Sequence, residues 1–97
     1  MASKLTILYW QDIPSVVEAR DASGAHKIEL SARFQELIDH VAMRKKLAGT
    51  DEYLTQWRKG RGRREEGDPR SVAEAAAEAI EARFEHIRSE EMEKCRA

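Results

Sequence analysis

The hydrophobic pattern changes period along the chain. Residues 4–10, Lys-Leu-Thr-Ile-Leu-Tyr-Trp, place Leu5, Ile7 and Tyr9 on one face of an extended chain and Leu8 and Trp10 on the other. Apolar side chains on both faces predict a central strand covered on both sides. Gln11 and Asp12 end it, and Ile13-Pro14 marks a turn or bulge, because proline cannot donate to a ladder. In 15–20 and 26–30 the apolar residues Val17, Ala19, Ile28 and Leu30 alternate with Glu18, Arg20, Lys27 and Glu29. This is the pattern of a hairpin with one solvated side, turning at Asp21-Ala22-Ser23-Gly24.

From Ser31 the period becomes helical. Phe34, Leu37, Ile38, Val41, Ala42 and Lys45 share one stripe, apolar until the last, behind Ser31 as N-cap. Gly49 suits the C′ position of that helix. Thr50 caps a second, short helix whose apolar contacts are Tyr53, Leu54 and Trp57. Asp68-Pro69 opens the last element, with Pro69 at its first helical position and a capping-box pattern, Ser71 to Glu74, slightly further in. Val72, Ala76, Ile80, Phe84 and Ile87 form its stripe. Past Ile87 the chain is polar, and residues 88–97 are expected to fray.

The order β-β-β-α-α-(β)-α predicts an α+β domain spanning residues 1–97. Its small antiparallel sheet has three to four strands. Two main helices, about 31–48 and 69–90, pack on one face, with a short helix near 51–57. Residues 58–67 carry glycines and no aliphatic side chain, so they fit either a mobile loop or an edge strand leaving Trp57.

Composition narrows the function classes. The chain has 97 residues, 17 basic and 18 acidic, and a net charge of −1. That balance argues against a general nucleic-acid binder, and one small core leaves little room for a deep substrate cavity. The single cysteine, Cys95, needs no oxidising compartment. The start lacks the apolar run of a signal peptide, and no stretch is long enough to span a bilayer. A cytoplasmic location without membrane contact is therefore expected. His26, His40 and His86 fall in separate elements and form no metal set. No serine sits in a nucleophile elbow, and Gly60-Arg61-Gly62 matches no phosphate loop. Neither catalysis nor a cofactor is expected.

The sharpest local feature is Trp57-Arg58-Lys59-Gly60-Arg61-Gly62-Arg63-Arg64, with five cations between 58 and 64. One reading is an anion contact, with Trp57 stacking and Arg58, Lys59, Arg61, Arg63 and Arg64 on phosphates or an acidic protein surface. The other is solvated surface paired with Glu65, Glu66 and the acidic last helix. Tyr9 and Tyr53 read as core. Trp10 and Trp57 precede polar turns, and either core or partner contact fits them. A protein-interaction or accessory module is the favoured reading, with binding of nucleic acid or an anionic ligand through 58–64 as the alternative.

Tyr9-Trp10, Asp12-Ile13-Pro14-Ser15-Val16-Val17, Leu30-Ser31-Ala32-Arg33-Phe34, Ile38-Asp39, Ala42-Met43 and Gly49-Thr50-Asp51-Glu52-Tyr53-Leu54-Thr55-Gln56-Trp57 together carry a resemblance. From Leu5 to Trp57 the chain resembles a small bacterial virulence-factor domain family. That domain also occurs joined to helical repeats in a larger conserved virulence factor. Stand-alone members are often encoded near folate- and corrinoid-dependent methyl-transfer enzymes, so the resemblance implies an accessory role in one-carbon metabolism. It brings no catalytic residues. The Arg58–Arg64 run lies outside the matching part and reads as peculiar to this protein.

Overall fold

The computed structural model describes residues 2–95, with the order β1 (Ala2–Trp10), β2 (Ile13–Asp21), β3 (Gly24–Glu29), α1 (Ala32–Arg44), α2 (Asp51–Thr55), β4 (Trp57–Lys59), β5 (Arg63–Glu66), α3 (Pro69–Ala82) and α4 (Phe84–Lys94). The strand with two apolar faces is the central one. β1 pairs antiparallel with β2 on one side and with both β4 and β5 on the other, while β3 lies beyond β2. The fold is α+β, an antiparallel sheet with helices packed against it.

The hairpin β2–β3 turns where its sequence says it should. Asp21 Oδ1 accepts from the Ser23 amide at 2.8 Å, an Asx turn, and Gly24 takes a φ of +151°. The turn or bulge expected at Ile13-Pro14 is a bulge beside them, where the β1–β2 register shifts between Leu8 and Tyr9 and leaves Ser15 without a partner on β1. The segment 57–66 resolves as an interrupted edge strand. Its alternation places Arg58 opposite Tyr9 and Lys59 opposite Leu8, then Arg63 opposite Leu5 and Arg64 opposite Lys4. Gly60 is required between the pieces. A Cβ there would lie 2.8 Å from the Tyr9 ring and 3.3 Å from the Ile7 carbonyl, to which the Gly60 amide donates.

α1 is shorter than the expected 31–48. It stops at Arg44, with Lys46 in the left-handed region at φ +60°. The Leu47 amide then reaches the Ala42 carbonyl at 2.8 Å and the Lys46 amide reaches Met43 at 3.1 Å. This pair of bonds is a Schellman ending, so Lys46 and not Gly49 holds the C′ place. Ser31 stands at the N-cap, but its side chain makes no capping bond and instead donates to Glu81. Thr50 and Asp68 do cap α2 and α3, accepting from the amides of Tyr53 and Ser71.

The single helix expected over 69–90 is two helices. The chain breaks at Arg83 (φ −100°, ψ 8°) and Phe84 turns inward. Its ring meets Phe34 of α1 edge-on at 4.9 Å, with the Arg33 guanidinium 4.5 Å from the Phe84 ring centre. An edge-to-face pair adds about 0.5–1.5 kcal/mol to the area it buries, and a continuous helix would not present Phe84 in the same way. Residues 88–94, read from the sequence as a polar tail, are helical. They continue α4, where Glu91 is buried and accepts from Lys94 at 2.9 Å; residues 96–97 lie outside the described part. The core gathers Leu5, Val17 and Ala19 from the sheet, Phe34, Ile38 and Val41 from α1, and Val72, Ala73 and Ala77 from α3.

Candidate functional site

The basic segment is drawn onto both faces of the sheet. A strand sends successive side chains to opposite sides, so Arg58 and Arg63 share a face with Tyr9 and Leu5, while Lys59 and Arg64 share the other with Leu8 and Lys4. The five cations therefore do not form one patch. Two of them are engaged locally. Arg58 binds Asp12 at 3.0 Å and the Gln11 carbonyl at 3.0 Å, with its guanidinium 4.8 Å from the Tyr9 ring centre. Arg63 binds Glu65 at 2.7 Å. Lys59, Arg61 and Arg64 have no ion-pair partner among the described residues.

The two tryptophans part ways. Trp10 is fully buried, with Nε1 donating to the Tyr53 carbonyl at 2.9 Å, so it builds the core and presents nothing to a partner. Trp57, opposite it in the ladder, stays half-buried against the edge of the Tyr53 ring at 6.3 Å. Tyr53 also packs beside Trp10 at 5.3 Å.

Sequence reasoning missed a groove on the Leu5 face of β1. α3 packs mainly over β2 and β3, less over β1, and least toward β4 and β5. The open half has a floor of Leu5, Ile7 and Tyr9 and a wall of Ala76, Ala79 and Ile80 from α3. Arg83 and Ile87 stand at one end, where the space measures about 370 Å³. It continues past Arg63 toward Ala75 and Ser71, and sideways to Gly60 and Arg61. Ile7, Tyr9, Ile80 and Ile87 are half-buried, and Ala79 is exposed. The sequence signal was the alanine run on α3, which gives that helix a low, apolar flank beyond its Val72–Ile80 stripe.

The acids bordering this groove are already engaged. Asp12 holds Arg58 and Lys94, Glu65 holds Arg63, and Glu66 also has an interaction of its own. Asp12 titrates below the usual carboxylate range because Lys94, and then Arg58, hydrogen-bond its charged form. Arg61 and Arg83, on opposite sides of the groove, have no acidic partner among the described residues. Among the described residues no three His, Cys, Asp or Glu side chains gather as metal ligands. No described helix is long and apolar enough to cross a membrane.

The family model described as virulence factor matches residues 8–92. The chain belongs to the virulence factor family. The match extends well beyond Trp57, so the Arg58–Arg64 run lies inside the virulence factor domain and not outside it. It also takes in α3 and most of α4, and with them the alanine wall of the groove. No curated protein and no solved structure matches the chain.

Proposed function

We propose that this virulence factor domain is an accessory protein-interaction module, without catalysis of its own, and that it works through the open half of its sheet. The observation that carries the reading is the apolar floor of Ile7 and Tyr9 beside the alanine wall of α3. Small-molecule sites usually enclose most of their ligand. This groove is open along its length, as sites that take a polypeptide segment are. The setting implied by the family resemblance, methyl transfer on folate or corrinoid cofactors, names the first enzymes to try as partners.

A tagged full-length chain, expressed in its native cell, tests this by comparison with Ala79→Arg. Ala79 is exposed and lines the groove, so arginine there obstructs the groove while leaving the core alone. Proteins retained by the parent chain should be lost from the variant, with an unchanged far-ultraviolet circular dichroism spectrum. Identical sets of retained proteins would end the proposal.

A second reading rests on Lys4, Lys59 and Arg64, three cations on the opposite face of the sheet without an ion-pair partner among the described residues. That face favours nucleic acid or another polyanion. Purified protein would then carry a high 260/280 nm absorbance ratio that falls as salt displaces the bound strand.

A further inference from the structure

We infer that the groove's occupant is an acidic amphipathic helix of a partner protein, lying beside α3 on β1, β4 and β5. The inference rests on the reading that this groove takes a polypeptide, and it names the chemistry of that polypeptide.

The first argument is width. Strands lie about 4.8 Å apart, so a face four strands wide measures about 19 Å. A helix with its side chains is about 10 Å across, so such a face holds two helices side by side. α3 occupies the β2–β3 half and reaches over β1, and α1 packs against β2. The half over β1, β4 and β5 is left with room for one more helix and with an apolar floor. The wall facing that space is Ala75, Ala76 and Ala79, side chains short enough to let a second helix approach closely. Residues 71–83 border the groove, which corresponds to about 18 Å, or roughly three helical turns of contact.

The second argument excludes an added strand. The outer edge is only three and four residues long in its two pieces, interrupted at Gly60–Gly62 and almost wholly charged. Short, charged, broken edges are those that resist strand addition.

The third argument is charge. Asp12 and Glu65 are each neutralised by cations of this chain, Arg58 and Lys94 for the first and Arg63 for the second. Arg61 on the edge and Arg83 at the α3–α4 break stand without acidic partners on either side of the apolar floor. A helix with an apolar stripe flanked on both sides by Glu or Asp satisfies the floor and both arginines together. A basic helix would meet two uncompensated guanidinium groups.

The test uses the full chain, labelled with nitrogen-15, and a synthetic peptide of about 18 residues, five helical turns. The peptide carries Leu at i, i+3, i+4 and i+7 and Glu on both flanks of that stripe; its control has Lys for every Glu. Amide shifts on titration should concentrate at Ile7, Tyr9, Ala79, Ile80 and Arg83, and the Glu peptide should bind about tenfold tighter than the Lys peptide at low salt. Arg61→Ser combined with Arg83→Ser should remove most of that preference without changing the thermal melt. Equal binding of the two peptides, no binding of either, or shifts centred elsewhere would overturn the inference. So would the same amides moving on concentration of the protein alone, which marks a second copy, or on addition of oligo-dT, which marks nucleic acid. If the Glu peptide fails while Ala79→Arg still strips partners from the tagged chain, the interaction reading stands and the acidic helix is wrong.

Discussion

Trp10 places its one hydrogen-bond donor where water does not reach. Its indole N–H meets the Tyr53 carbonyl at 2.9 Å inside a fully buried site, so ring and bond together tie β1 to α2. Trp10→Phe removes the donor and leaves a void, and should cost about 2–4 kcal/mol in urea denaturation. A loss below about 1 kcal/mol would mean that the site collapses around the smaller ring. Its neighbour Gln11 sits at φ +55°, a conformation that costs a side-chain-bearing residue about 1–2 kcal/mol. Four contacts hold it there. Its amide donates to Gln56 at 3.0 Å, its carbonyl accepts from Arg58, and its side chain bridges Gln56 and Lys45. The sequence shows that a polar turn ends β1 at this point. It does not show which residue carries the strain, because the partners that pay for it lie 34 to 47 positions away in the chain.

Elements were legible where local chemistry decides them and illegible where a distant side chain does. The alternation in β2 and β3, the Asp21–Gly24 turn and the cap at Thr50 depend on near neighbours, and each stands where the residues indicate, whereas α3 is capped by Asp68 and not by the Ser71–Glu74 box. The break between α3 and α4 has no glycine or proline to announce it. It follows from Phe84 meeting Phe34, fifty residues earlier in the chain. The Arg63–Glu66 strand has poor propensity and forms by pairing with β1, the kind of tertiary context that overrides local preference. The end of α1 yields a prediction. Lys46 holds the left-handed C′ position of the Schellman ending while its exposed side chain has no ion-pair partner among the described residues. Lys46→Gly should therefore stabilise the protein by about 0.5–1 kcal/mol, read as a higher urea midpoint at an unchanged slope. No gain would show that Lys46 contributes as much through its stem as glycine would through its backbone.

At the scale of the whole molecule, the groove was not legible because it is a mismatch of widths and not a motif. No residue pattern states that one helix will cover two strands and leave the others open. The same scale explains how the far end of the chain is held. Asp12, in the β1–β2 turn, binds Arg58 of β4 and Lys94 of α4, and Lys94 also binds the buried Glu91. Lys94 is pushed above its usual value by its bond to Glu91 and then by Asp12, while Asp12 is held below its own by Lys94 and then by Arg58. A depressed carboxylate stabilises the fold above its unfolded pKa, about 3.9, and loses that contribution as the pH falls through its lower folded value. A raised lysine stabilises below its unfolded pKa, about 10.4, and loses its contribution as the pH rises through its higher folded value. Asp12 and Lys94 are 62% and 46% exposed at their side chains, so solvent screens the pair, and exposed pairs are worth about 0.2–1 kcal/mol. Asp12→Asn should therefore lie below the parent protein by about that amount between roughly pH 5 and 9, and converge with it as the pH falls through the lowered folded value of the Asp12 carboxyl. Urea denaturation across that range measures the gap. A gap that persists unchanged into acid would show that Asp12 acts through its hydrogen bonds and not through its charge.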